Sequence, residues 1–167
     1  MRIMKKTVLC FMFLLSGLAI QAQEGFNLGI NFGLPTGDAG DISSFSLGID
    51  ANYLWSVADS FDAGVATGFT NAFGKTEEIL GIEVEFDDVQ FLPLAAAGRY
   101  HVTDKFRLGA DLGYAIGLNE GNDGGFYYRP QVGYGITDRI ETNLSYTGIS
   151  LDGGTWSTVV LGFMVNL

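Results

Sequence analysis

From residue 25 to the C-terminus, apolar and polar residues alternate with a period of two. That period marks a β-strand with one face in an apolar surrounding, because successive side chains point to opposite sides. The alternation runs through eight segments. The first sets Phe26, Leu28, Ile30, Phe32 and Leu34 against Asn27, Gly29, Asn31 and Gly33. The second sets Phe45, Leu47, Ile49, Ala51, Tyr53 and Trp55 against Ser46, Gly48, Asp50 and Asn52. Further segments follow over 61–70, 92–101, 106–116, 126–136, 140–146 and 159–167. Seven charged residues fall inside them: Asp50, Asp62, Arg99, Arg107, Asp111, Arg129 and Glu141. All seven share a face with glycines and amides, and none stands on an apolar stripe. Pro93 and Pro130 each remove a ladder hydrogen bond and are expected near strand ends or bulges.

A seven-residue pattern joins the segments in pairs. It reads Trp55-Ser56-Val57-Ala58-Asp59-Ser60-Phe61, then Tyr100-His101-Val102-Thr103-Asp104-Lys105-Phe106, then Tyr134-Gly135-Ile136-Thr137-Asp138-Arg139-Ile140. Each copy runs aromatic, any, β-branched, small, Asp, polar, apolar. The apolar residues flanking each turn are four apart, which pairs them across a three-residue hairpin loop. An Asp side chain suits such a turn because it can bond the nearby backbone. The other connections are longer and polar, over 35–44, 71–88, 119–125 and 150–155. Tight and long connections therefore alternate. Three tight turns and the termini gather at one end, and four longer loops at the other. The second long connection carries an alternation of its own, Ile82, Val84 and Phe86 against Glu83 and Glu85, which extends the neighbouring strands.

Eight antiparallel strands can close into an up-and-down barrel, which removes the exposed edges. The apolar face of such a barrel points either inward around a ligand or outward into lipid. Three features favour lipid. The apolar face is bulky while the other is rich in glycine, which suits a crowded small-barrel interior. A water-facing exterior would carry many lysines, yet beyond residue 22 only Lys75 and Lys105 occur, both outside the eight segments. Trp55, Tyr100 and Tyr134 recur at one offset before each tight turn, as an interfacial aromatic girdle requires. An arginine or lysine on the lipid face would cost about 2–4 kcal/mol near the midplane, which accounts for charge-free stripes.

Composition narrows the setting. The chain has 167 residues, 24 of them glycine, and only 17% are charged. Arg2, Lys5 and Lys6 precede the apolar run Val8–Leu15, and Ser16, Gly17, Ala19 and Ala22 follow as small residues. This is the pattern of a secretory signal peptide over residues 1–22, leaving a barrel domain over 23–167. Its removal takes Cys10 and three of nine basic residues and leaves all 19 acids. Such an acidic chain is a poor nucleic-acid binder.

With these residues in view, the chain resembles the small OmpA/OmpX-type outer-membrane β-barrels over nearly all of 25–167. Its ending, Leu161-Gly162-Phe163-Met164-Val165-Asn166-Leu167, is similar to the C-terminal strand of that family. The resemblance implies an all-β, eight-stranded antiparallel transmembrane barrel with three tight periplasmic turns and four longer outer loops. It further implies that Leu161, Phe163, Val165 and Leu167 are read by the barrel-assembly machinery. Lipid and lipopolysaccharide are the expected partners, and the chain is expected to be monomeric.

Catalytic chemistry is sparse. The mature chain has one histidine, His101, in a tight-turn copy, and no cysteine, so no enzyme and no cofactor are expected. Glu77, Glu78, Glu83, Glu85, Asp87 and Asp88 form an acidic loop whose oxygens suit Ca²⁺ or Mg²⁺, although a solvated hairpin is the simpler reading. The lumen charges are expected to pair across an interior just wide enough for side chains. The expected role is structural or surface-interacting. The alternatives are a narrow pore lined by Arg99, Arg107, Asp111 and Arg129, and, more weakly, a soluble periplasmic ligand-binding barrel.

Overall fold

The computed structural model describes residues 25–79 and 82–167. The signal-peptide reading of residues 1–22 lies outside them. In chain order the elements are β1 (Phe26–Thr36), α1 (Asp38–Ile42), β2 (Ser43–Ala58), β3 (Phe61–Gly74), β4 (Thr76–Ile79), β5 (Ile82–Glu85), β6 (Val89–His101), β7 (Phe106–Gly117), β8 (Gly125–Gly135), β9 (Ile140–Leu151) and β10 (Gly154–Asn166). Eight strands form a closed antiparallel barrel in the order β1-β10-β9-β8-β7-β6-β3-β2. The seam is β1 on β10, from Asn27 opposite Asn166 to Thr36 opposite Ser157. Closure pairs the backbone all round, the condition for a sheet to survive in hydrocarbon.

The apolar stripes face outward. Ile30, Ile49, Val65, Leu94, Leu112 and Leu144 each keep about half of their surface exposed. Their sequence neighbours Asn31, Asp50, Asp111, Asn143 and Ser145 are buried in the lumen. This polarity rules out the soluble ligand-binding reading, which needs the apolar side inside. Trp55, Tyr100 and Tyr134 stand on the outer face at the turn end. Two of them meet further aromatics across the ladder: Phe61 lies opposite Tyr100, and Phe106 opposite Tyr134. Leu161, Phe163 and Val165 also face outward, opposite Phe32, Ile30 and Leu28 on β1.

Four details depart from the sequence reading. The span 35–44 is not an open loop, because β1 runs on to Thr36 and α1 fills most of the rest. The span 150–155 is mostly strand: Leu151 pairs with Gly154, so only Asp152 and Gly153 turn the chain. In the second and third turns the backbone is held by threonine rather than by aspartate. Thr103 Oγ1 accepts from the Phe106 N–H at 3.0 Å, and Thr137 Oγ1 from the Ile140 N–H at 3.0 Å. Pro93 and Pro130 lie within their strands, not at the ends. Each stands where pairing is locally interrupted, Pro93 between the Thr67–Leu94 and Thr70–Phe91 pairs, Pro130 between Tyr128–Gly148 and Gln131–Ser145. The missing proline N–H thus coincides with a gap in the ladder, the kind of place where a strand tolerates proline.

The β4–β5 ribbon rises from the ends of β3 and β6 and forms its own two-stranded sheet. The Phe86 N–H donates to the Lys75 carbonyl at 2.8 Å, so the ribbon continues the barrel strands.

Candidate functional site in the lumen and at the loop end

The lumen charges form four pairs. Arg99 meets Asp111 at 2.6 Å, Arg129 meets Asp50 at 3.0 Å, Arg107 meets Glu141 at 2.9 Å, and His101 meets Asp62 at 2.6 Å. The first two pairs are deeply buried, with no side chain above about a tenth exposed. Further bonds complete them: Arg129 Nε donates to Ser145 Oγ at 2.9 Å, and Gln131 Nε2 donates to Asp111 Oδ2 at 3.1 Å. Buried charges persist only when partnered and hydrogen-bonded, and these are.

Two glycines make the pairing possible. A Cβ at Gly109 would stand 2.5 Å from the Arg99 stem, and one at Gly133 would stand 2.7 Å from Glu141 Oε1. Arg99 therefore lies across β7 to reach Asp111, and Glu141 lies across β8 to reach Arg107. These two inner-face glycines are gaps over which long charged side chains cross the ladder.

Above the charges lies an apolar layer that the segment boundaries concealed. Ala39, Ala72, Phe91, Ala115, Tyr127, Ile149 and Trp156 pack together, with Phe91 and Trp156 ring centroids 5.6 Å apart. Phe91, Ile149 and Trp156 fall just outside the segments 92–101, 140–146 and 159–167. Extending each segment by three residues at the same parity would have placed them in the lumen. Two small lumen cavities remain, of about 70 and 30 Å³, both touching Asp50 and Arg129.

Ser56, Asp62 and His101 sit together at the turn end, but in an order unfit for nucleophilic catalysis. Ser56 Oγ donates to Asp62 Oδ1 at 2.8 Å, and His101 Nε2 bonds Asp62 Oδ2. The carboxylate stands between hydroxyl and imidazole, so His101 is not on the hydroxyl, as the serine–histidine arrangement requires.

The acidic loop is distributed over the ribbon. Glu77 and Glu78 lie on β4, Glu83 and Glu85 on β5, and Asp87 and Asp88 precede β6. Glu78 stands directly opposite Glu83. Asp88 is an anchor: it accepts from Asn71 Nδ2 and from the Gly74 N–H, each at 3.0 Å, and these bonds hold its carboxyl below the ordinary range. Among the described residues no three His, Cys, Asp or Glu side chains converge as a metal site. Lys75 does not pair with these acids; its ammonium donates to the Gly40 carbonyl in α1.

No family model and no curated protein sequence matches the chain. Solved structures do. The Yersinia pestis outer-membrane protein Ail in a phospholipid bilayer nanodisc is 16% identical, with a TM-score of 0.58 over 87% of this chain and all of that one. Neisserial surface protein A is 18% identical, with a TM-score of 0.53 over 86% of this chain and 98% of that one. The chain has the fold of the small eight-stranded outer-membrane barrels. A de novo designed transmembrane β-barrel shares it too, at 10% identity and a TM-score of 0.54 over 86% of this chain and 95% of that one. The fold and its apolar exterior are those of a protein whose solvent is the outer membrane. A fold shared with a designed protein names no activity, so function has to be argued from the site.

Proposed function

We propose that this chain is an integral outer-membrane protein whose role is structural or surface-interacting and is carried by its outer loops rather than by passage through the lumen. One contrast carries this reading. The lumen is occupied by paired charges and an apolar layer, whereas the loop end holds eleven of the 19 acidic residues and, as its one base, Lys75. Side chains that fill an interior stabilise a barrel, and unpaired charges on loops are free to meet a partner.

The partner chemistry follows from the sign of that charge. Lipopolysaccharide is anionic, so the loops would meet it through bridging divalent cations. Ail has been solved with the heparin analogue sucrose octasulfate. The acidic loop end here disfavours such a polyanion. Leu161, Phe163, Val165 and Leu167 would present the final strand to the barrel-assembly machinery, and the folded protein would be monomeric. No nucleic acid and no catalysed reaction belong to this reading.

The test has two arms. Cysteines placed at Glu83 and Asp152 should react with a membrane-impermeant thiol reagent on intact cells, and one at Asp104 should not. Purified barrel in a planar bilayer should show no large, steady conductance. Labelling of Asp104 instead would invert the orientation, and steady conductance would favour the second reading. That reading is a narrow pore past Arg99, Arg107, Asp111 and Arg129, supported by the two cavities meeting at Arg129.

A further inference from the structure

At the loop end, α1, the 118–124 connection and the β9–β10 turn enclose a cleft of about 360 Å³. That lies in the range of small-molecule sites, roughly 300–1,000 Å³. Its floor is apolar: Trp156, Leu151 and Ile42 line it. Gly121, Gly124, Gly153 and Gly154 leave its walls open. Asp38, Asp123 and Asp152, each from a different element, also line it, and no Lys, Arg or His does. The four ion pairs of the described residues use none of these three carboxylates. The surrounding backbone is fixed. Asn122 Nδ2 donates to the Gln90 carbonyl, and the Tyr114 hydroxyl donates to the Asp123 carbonyl at 3.1 Å.

An aromatic floor beside three unpaired carboxylates sets two requirements on an occupant. It must be cationic, because the acids have no partner and lie in the negative field of the whole loop end. It must also carry apolar or flat surface, because Trp156, Leu151 and Ile42 make the floor and no three acidic side chains among the described residues converge to hold a bare metal ion. Organic ammonium and guanidinium groups meet both, through cation–π contact and charge-assisted bonds. We propose that this cleft binds an organic cation, an ammonium or guanidinium group on a short stem, with the stem against the Trp156, Leu151 and Ile42 floor and the charge at the wall that carries Asp38, Asp123 and Asp152. A free polyamine and the side chain of a basic peptide share this chemistry. The proposal names a ligand class for the loop end and so rests on the surface-interaction reading.

The experiment uses the mature barrel in nanodiscs of neutral phosphatidylcholine, with Trp55→Phe so that Trp156 is the sole tryptophan. Spermidine and a tetra-arginine peptide are titrated separately against tryptophan emission, with NaCl and MgCl₂ at matched ionic strength as references. At least one organic cation should give a saturable emission change that both salts lack. Whichever saturates at lower concentration identifies the source. Asp123→Asn with Asp152→Asn should weaken that response about tenfold or more. Retained heat-modifiable mobility on a detergent gel shows that the variant still folds. No response to either cation, an equal response in the double variant, or an equal response to MgCl₂ overturns the proposal. Because the titration uses purified protein, its failure leaves the surface reading standing, and failure of the cell-labelling test leaves the binding result standing.

Discussion

At the residue scale, the lumen is decided by which charge reaches which. Arg129 stands directly opposite Asp111 in the ladder, yet its ion pair is with Asp50 on the far wall. Removing one partner of a buried pair costs about 3–5 kcal/mol, because the other charge is left without compensation. Arg129→Ala should therefore lower stability by that amount in urea unfolding from lipid vesicles. Asp50→Ala combined with Arg129→Ala should recover part of the loss. If the double variant is no more stable than the single one, the pair does not act as a unit. The sequence shows that these charges face inward, since parity alone fixes the side. It does not show the partners, because those depend on gaps such as Gly109 and Gly133 and on distances across the barrel.

At the element scale, turns and loop anchors carry the argument. The repeated pattern locates all three tight turns, but the bonding falls to Thr103 and Thr137, while the first copy has Ala58 at that place. There the chain turns differently, with Ala58 paired to Phe61 beside a bulge. Thr137→Ala should cost about 0.5–1.5 kcal/mol, the worth of one such bond, with Thr137→Ser keeping most of it. An unchanged unfolding midpoint would show the hydroxyl to be idle. The ribbon anchor makes a separate prediction about pH. Hydrogen bonds from Asn71 and the Gly74 N–H hold the Asp88 carboxyl below its ordinary value of 3.8. A carboxyl depressed in the folded state stabilises it fully above the unfolded value, and the effect fades as pH falls through the folded one. Amide exchange at Gly74 should therefore accelerate on acidification below about pH 4, once corrected for intrinsic exchange, and Asp88→Asn should flatten that dependence. Exchange with the same pH profile in both proteins would remove Asp88 from the anchor. The apolar layer was missed at this same scale. Phe91, Ile149 and Trp156 keep the strand parity, but they fall in the gaps between the segments 92–101, 140–146 and 159–167 and the connections 71–88 and 150–155.

At the scale of the whole molecule, two solvents act on one sheet. Outside, Leu112 is 54% exposed while its neighbour Asp111 is 2% exposed. Leu112→Arg should cost about 2–4 kcal/mol of folding stability in a bilayer. Inside, two layers of different chemistry fill the lumen. The ion pairs hold charge against charge, and the Trp156 layer presents apolar surface that ions do not cross. In the plugged reading each layer is a barrier of its own, beside cavities of about 70 and 30 Å³ that share Asp50 and Arg129 in their linings. Arg129→Ala alone should therefore destabilise the barrel and leave a planar bilayer silent, since Trp156 still covers the lumen. Trp156→Ala alone should also stay silent, since Asp50 and Arg129 still meet below it. Only the combination should give steady current. Current from Arg129→Ala alone would make the ion pair the sole barrier, and the narrow-pore reading would then replace the plugged barrel.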